Sequence, residues 1–145
     1  MIERPGRALG LDLGTERIGV AISDDARAVA TPLEVIPARD REAVDDRIKT
    51  LVDEWEITVV VVGMPYQLDG GRGAAAKRAS GVAKGLGATL SVPVVTYDER
   101  LSTVTAHRSL DEQSVDGRSR RDLVDMIAAQ VILQGWLELN THGTH

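Results

Sequence analysis

Apolar residues recur along this chain in two rhythms, and the points where one gives way to the other divide it into elements. Ala8–Leu13 and Ile18–Ser23 are short apolar runs joined by Gly14-Thr15-Glu16-Arg17, the pattern of two strands and a tight turn. Ala28–Ile36 reads as a third strand; Pro32 within it has no N–H to donate and predicts an edge position or a bulge. The rhythm then lengthens. Val44, Ile48, Leu51, Val52 and Trp55 follow at helical spacing behind Asp40, a good N-cap. Ile57–Val62 is a continuous run closed by Gly63, as expected of a strand covered on both faces. After a glycine-rich loop, Ala74, Ala75, Ala79, Val82, Ala83 and Leu86 predict a second helix. Thr89–Tyr97 predicts a fifth strand, interrupted or begun at Pro93, and a third helix is expected to start near Ser102. Gln113–Arg121 is polar with three arginines and reads as a mobile loop. The last helix, from about Asp122 to Leu139, is apolar nearly all round and so is expected to be buried.

These elements predict an α/β layered domain: a mixed five-stranded sheet that opens with a three-stranded meander and is flanked by helices. A chain of 145 residues suits one domain, with an unstructured tail expected from about residue 140. Its 17 basic and 22 acidic residues give a net charge of −5, so binding to a polyanion would need a local basic surface or bound cations. The absence of cysteine excludes disulfides, thiolate zinc sites and cysteine nucleophiles. The N-terminus lacks the apolar core of a signal peptide, and no apolar run approaches the ~20 residues of a membrane span. A cytoplasmic protein with no membrane partner is the expectation. Phenylalanine is absent and other aromatics are few, so nucleic-acid recognition would rest on phosphate and shape more than on base stacking.

Several acids interrupt the apolar pattern. Alternation along the first strand puts Asp12 on the face of Ala8 and Gly10, whose small side chains leave room beside it. An aspartate accepting hydrogen bonds from the Gly14 turn is the structural alternative. Asp125 stands among Val124, Met126, Ile127, Ala128 and Ala129, where an ionised carboxylate is costly unless paired or bound to a cation. Its structural alternatives are an acid favoured near a helix N-terminus and a buried pair with Arg121. Asp98 and Glu99 follow a strand, and alternation lets at most one of them share the face of Asp12. An oxygen-only set of this kind, without cysteine or a well-placed histidine, suits Mg²⁺ or Mn²⁺ rather than zinc. Carboxylate-held hard cations commonly serve phosphodiester hydrolysis. His107 is isolated on its segment, and His142 and His145 lie in the polar tail.

LDLGTERIGVAISD, VVVGMPYQLDG, DERLSTVTA and VDMIAAQVIL resemble, in order and spacing, the YqgF family, also called RuvX, over Ala8 to about Leu139. Members are ribonuclease H-like proteins described as pre-16S ribosomal RNA nucleases and as Holliday-junction-resolvase-like. The resemblance implies a three-layer ribonuclease H-like fold whose first three strands are antiparallel. It also implies metal-dependent endonuclease activity on structured nucleic acid: 5′-end maturation of pre-16S ribosomal RNA or resolution of branched DNA. By motif, the family's acids fall on Asp12, Glu99 and Asp125, expected to hold two Mg²⁺ or Mn²⁺ ions as the catalytic centre. Phosphate positioning is then expected from the backbone amides of Gly14 and Thr15, from Arg17 and Arg100, and from Arg118, Arg120 and Arg121. Gln67 stands where the family pattern has an asparagine.

Two other function classes fit parts of this pattern. Actin-like, chaperone and sugar-kinase ATPases use a similar LDLGT strand and turn for nucleotide phosphates, but they need two such domains around a cleft. A non-catalytic nucleic-acid-binding module would keep the fold without the reaction. A resolvase role would imply a homodimer, since a symmetric junction needs two opposed active sites.

Overall fold

The computed structural model of the chain describes residues 4–102 and 118–142, with 118–120 and 141–142 described by backbone alone. Within them β1 (Arg7–Leu13), β2 (Arg17–Ser23) and β3 (Ala30–Pro37) form the antiparallel meander. β4 (Ile57–Met64) pairs in parallel with β1, and β5 (Val94–Asp98) in parallel with β4, giving a five-stranded sheet of order β3-β2-β1-β4-β5. Helices α1 (Arg41–Glu54) and α2 (Ala74–Thr89) cover one face, and α3 (Arg118–His142) covers the other.

Strand alternation builds two cores, one on each side of the sheet. Leu9, Leu11, Val60 and Val62 pack beneath Val44, Ile48 and Leu51 of α1 and Leu86 of α2. Ala8, Ala21, Val59 and Val61 meet Ala128, Ala129, Ile132 and Leu133 of α3. β4 is therefore covered on both faces, as its unbroken apolar run requires. Each fully buried aliphatic side chain here stabilises the fold by about 1.5–3 kcal/mol. Asp40 caps α1: its carboxylate accepts from the Glu42 and Ala43 amides at 3.0 and 3.3 Å, a contact worth ~1 kcal/mol.

Several elements differ from the sequence expectation. β5 is confined to Val94–Asp98, because α2 continues through Thr89 and Pro93 stands just outside the strand. There its carbonyl accepts from the Val60 amide at 3.0 Å, and no donor is demanded of it. At Pro32 the β2–β3 register steps from Val20↔Glu34 to Ala21↔Pro32, a bulge on an edge strand. α3 is described from Arg118, so Arg118, Arg120 and Arg121 are helical and not in a loop, while residues 113–117 of the expected loop lie outside the described residues. A polar stretch carries no apolar period by which to recognise it. The same helix runs on through His142, past the residue near which the tail was expected to begin.

Nor is α3 buried all round. It is an outer layer whose Leu123 and Leu139 are 48% and 57% exposed while Ala129, Ile132 and Leu133 are sealed against the sheet. Trp55 ends α1 at the surface beneath the guanidinium of Arg7, whereas Trp136 packs on the α3-side core. The helix expected near Ser102 and His107 lie outside the described residues; β5 leads directly into a single 3₁₀ turn, Glu99–Leu101.

Candidate active site

β1, β4 and β5 are parallel, so their C-terminal ends meet at one end of the sheet, together with the start of β2. On the α3 side of that end Asp12 sits between two glycines. Gly19 of β2 is its register partner, and Gly63 of β4 lies one residue beyond the last β1–β4 pair, Leu11↔Val62. A Cβ at Gly19 would collide with the carbonyl oxygen of Asp125. A Cβ at Gly63 would stand 2.6 Å from Ile132 Cδ1 and 2.9 Å from the Glu99 carboxylate. The space left by one glycine thus admits the α3 backbone at Asp125, and the space left by the other admits the side chain of Glu99. This arrangement brings the three acids singled out in the sequence to one end and one face of the sheet. Asp12 and Glu99 are each 5% exposed.

The ambiguity between Asp98 and Glu99 is resolved by alternation. Asp98 pairs in register with Met64, which packs with Ala76 and Ala79 of α2, so Asp98 points away from α3. Its carboxylate receives Arg100 Nη2 at 2.6 Å and the Arg100 amide at 2.9 Å, and the arginine's hydrogen bond holds its pKa below the ordinary value. The guanidinium of Arg100 also lies 5.4 Å from the Tyr66 ring. Arg100 is therefore tied to the α2-side loop and not gathered with the acids.

Arg17, the first residue of β2, reaches α3. Its Nε donates to Asp125 Oδ2 at 2.6 Å and lies 3.9 Å from Asp122 Oδ1. The hydrogen bond to Asp125 raises the arginine's pKa above its ordinary value. The counter-ion of Asp125 is thus Arg17, 108 residues away in the chain, and not the neighbouring Arg121. Spacing along a helix could not reveal a partner on another element. The Gly14 amide, expected to be available to phosphate, closes the hairpin on the Arg17 carbonyl at 3.0 Å. Thr15 stays exposed at the turn, and Arg121 is exposed on α3. The side chains of Arg118 and Arg120 lie outside the described residues. Sequence reading missed the part played by Gly19 and Gly63; glycines inside strands were the available signal, since they mark close approach of another chain segment.

The donor set suits a hard divalent cation: two buried carboxylates, a third on α3, and oxygen atoms only. As placed, no three His, Asp or Glu side chains among the described residues converge closely enough to hold an ion. The carboxylate of Asp125 is instead engaged by Arg17.

A protein named "Putative pre-16S rRNA nuclease" from Anaeromyxobacter sp. (strain Fw109-5) is 48% identical over 132 residues, covering 91% of this chain and 96% of that one. A protein of the same name from Mycobacteroides abscessus is 46% identical over 136 residues, covering 92% and 81%. Among solved structures, T. thermophilus RuvC in complex with a Holliday junction substrate superposes with a TM-score of 0.58 at 16% identity, covering 94% of this chain and 96% of that one. The Fowlpox virus resolvase bound to Holliday junction DNA gives 0.54 at 10% identity, covering 92% and 98%. At such identities these two establish a shared fold, the ribonuclease H-like fold. The model of the family described as "RuvX: Holliday junction resolvase" matches residues 6–139, nearly the whole length, and the chain belongs to that family.

Proposed function

We propose that this protein is a divalent-metal-dependent endonuclease acting on structured nucleic acid, with precursor 16S ribosomal RNA as its substrate. The observation that carries the proposal is the flanking of Asp12 by Gly19 and Gly63, which lets Asp125 and Glu99 approach it from both sides. Carboxylates gathered at one end of a chain with a net charge of −5 repel an anionic substrate unless cations intervene. Asp12, Glu99 and Asp125 would hold Mg²⁺ or Mn²⁺, which when bound supplies water activation and charge for the leaving oxygen. The remaining work falls to the chain. Burial of Asp12 and Glu99 fixes their carboxylates before substrate arrives. The exposed Thr15 and the partly exposed Arg17 beside the acids, and Arg121 on α3, would position the phosphate backbone.

Precursor ribosomal RNA is favoured because relatives at 48% and 46% identity carry that activity in their name. A four-way DNA junction is the second reading, favoured by the family's description, and a two-fold dimer belongs to it. The test is cleavage of a 16S precursor, a four-way junction and unbranched duplexes by wild type, Asp12→Asn and Glu99→Gln, each with Mg²⁺, Mn²⁺ or chelator. Cleavage that survives either the substitutions or the chelator overturns the proposal.

A further inference from the structure

Arg17 does something here that phosphate positioning does not explain. Its Nε is 2.6 Å from Asp125 Oδ2, the one candidate ligand carried by α3. The Arg17 side chain is 34% exposed and that of Asp125 16%, so the pair sits at the rim of the site and not beneath it. Asp122, one helical turn before Asp125, presents a second carboxylate 3.9 Å from the same Nε and is 41% exposed. The backbone of Asp125 is meanwhile pinned over Gly19, next to Asp12.

We infer that Arg17 is a placeholder cation. It holds Asp125 at the sheet in the metal-free protein and gives up that carboxylate to a divalent ion, retreating towards Asp122. The inference rests on the metal-dependent reading above and adds a positioning residue to it. Three features support exchange over a permanent pair. A divalent ion outweighs a monovalent guanidinium at the same carboxylate. The pair is partly solvated, so its net strength is modest and it can be broken. Asp122 gives Arg17 a second acid to turn to, 3.9 Å from its Nε and itself 41% exposed.

The test is Mn²⁺ titration by calorimetry, with thermal melts before and after loading, on full-length wild type, Arg17→Gln, Arg17→Lys and Asp12→Asn. Arg17→Gln should melt lower than wild type without metal yet bind Mn²⁺ about two- to fivefold more tightly, since the competing cation is gone. Arg17→Lys, which keeps the charge but loses the planar reach, should fall between the two. If Arg17→Gln fails to fold, Arg17→Lys decides: Mn²⁺ affinity above wild type supports the exchange, and equal or lower affinity overturns it. A lower melting point with unchanged or weakened Mn²⁺ affinity in Arg17→Gln makes Arg17 a structural brace only and overturns the inference, while loss of binding in Asp12→Asn leaves the metal reading standing. A wild type that takes up no Mn²⁺ overturns both.

Discussion

Two arginines fasten α3 to the sheet, one at each end, and they do so by different chemistry. At the acid end Arg17 uses charge: its partners are the carboxylates of Asp125 and Asp122. At the far end Arg27, in a left-handed conformation with φ 57°, donates to the Gly6 carbonyl and the Thr58 hydroxyl, both at 2.9 Å, and lies 5.5 Å from the ring of Trp136 on α3. Burial there pushes the pKa of Arg27 down, in contrast to the upward push that Asp125 gives Arg17. Around Arg27 the helix is held by neutral groups: Gln130 donates to the Ala30 carbonyl at 3.0 Å, and Gln134 accepts from the Ala30 amide at 2.9 Å. Neutral hydrogen bonds have no ion to yield to, and they fix one end permanently. The charged end can exchange partners. The same helix is thus anchored by neutral contacts at one end and, at the end of the proposed metal site, by a charged contact that a cation could replace.

If the acid end is dispensable for the reaction, the two ends of α3 do not differ in kind. Asp12→Asn should reduce cleavage about a thousandfold or more, because the loss of several kcal/mol of transition-state stabilisation corresponds to that factor. Arg27→Ala should leave turnover per folded molecule within about twofold, since the far end touches no reacting group. Steady-state cleavage, normalised to the folded fraction by circular dichroism, checks both. Equal losses in the two variants would erase the distinction between the ends.

Packing sharpens it next. At Gly19 an added methyl would strike backbone, the Asp125 carbonyl, which only a shift of α3 can relieve; at Gly135 it would strike the hydroxyl end of the Tyr97 side chain and no backbone. Gly19→Ala should therefore cost about 3 kcal/mol, at the upper end of overpacking penalties, and Gly135→Ala ~1 kcal/mol, both read by urea unfolding. Arg27→Ala should cost about 2 kcal/mol through lost hydrogen bonds and ring contact, by the same amount with and without Mn²⁺. A loss that changes when Mn²⁺ is added would mean that the far end takes part in metal binding after all.

These variants also show what the sequence could and could not disclose. Apolar runs located β1, β2 and β4 and helical spacing located α1 and α2, because each buries one face or both and apolar residues mark burial directly. Asp12 was legible as a carboxylate on a small-residue face, and Asp125 as an acid in an apolar helix. Glu99 and Asp98 could be separated only by register, Met64↔Asp98 fixing which of them turns away from α3. The helical state of Arg118–Arg121 was hidden because that stretch is polar and carries no apolar period. The Arg17–Asp125 pair, the glycine clearances and the Arg27 anchor all join residues on different elements, and no local periodicity encodes such contacts.

The smallest expected effect tests whether the turn that carries Arg27 draws on charge at all. Asp24, at the end of β2, accepts from the Ala28 and Val29 amides at 2.7 and 3.0 Å, and the Val29 hydrogen bond leads in holding its pKa below the ordinary 3.8. A carboxylate whose pKa is lower folded than unfolded contributes its full stabilisation above the unfolded value. That contribution is lost as pH falls through 3.8 and on through the folded value. Asp24→Asn keeps an oxygen to accept these bonds but no charge, so it should cost about 0.5 kcal/mol or less near neutral pH, the side chain being solvated. Urea midpoints of wild type and Asp24→Asn, followed from neutral pH down to about 3, should converge as the wild-type carboxylate is protonated. A gap that stays constant over that range would assign the difference to hydrogen-bond shape alone and not to the Asp24 charge. A gap that widens on acidification would reverse the sign and contradict the depressed pKa of Asp24.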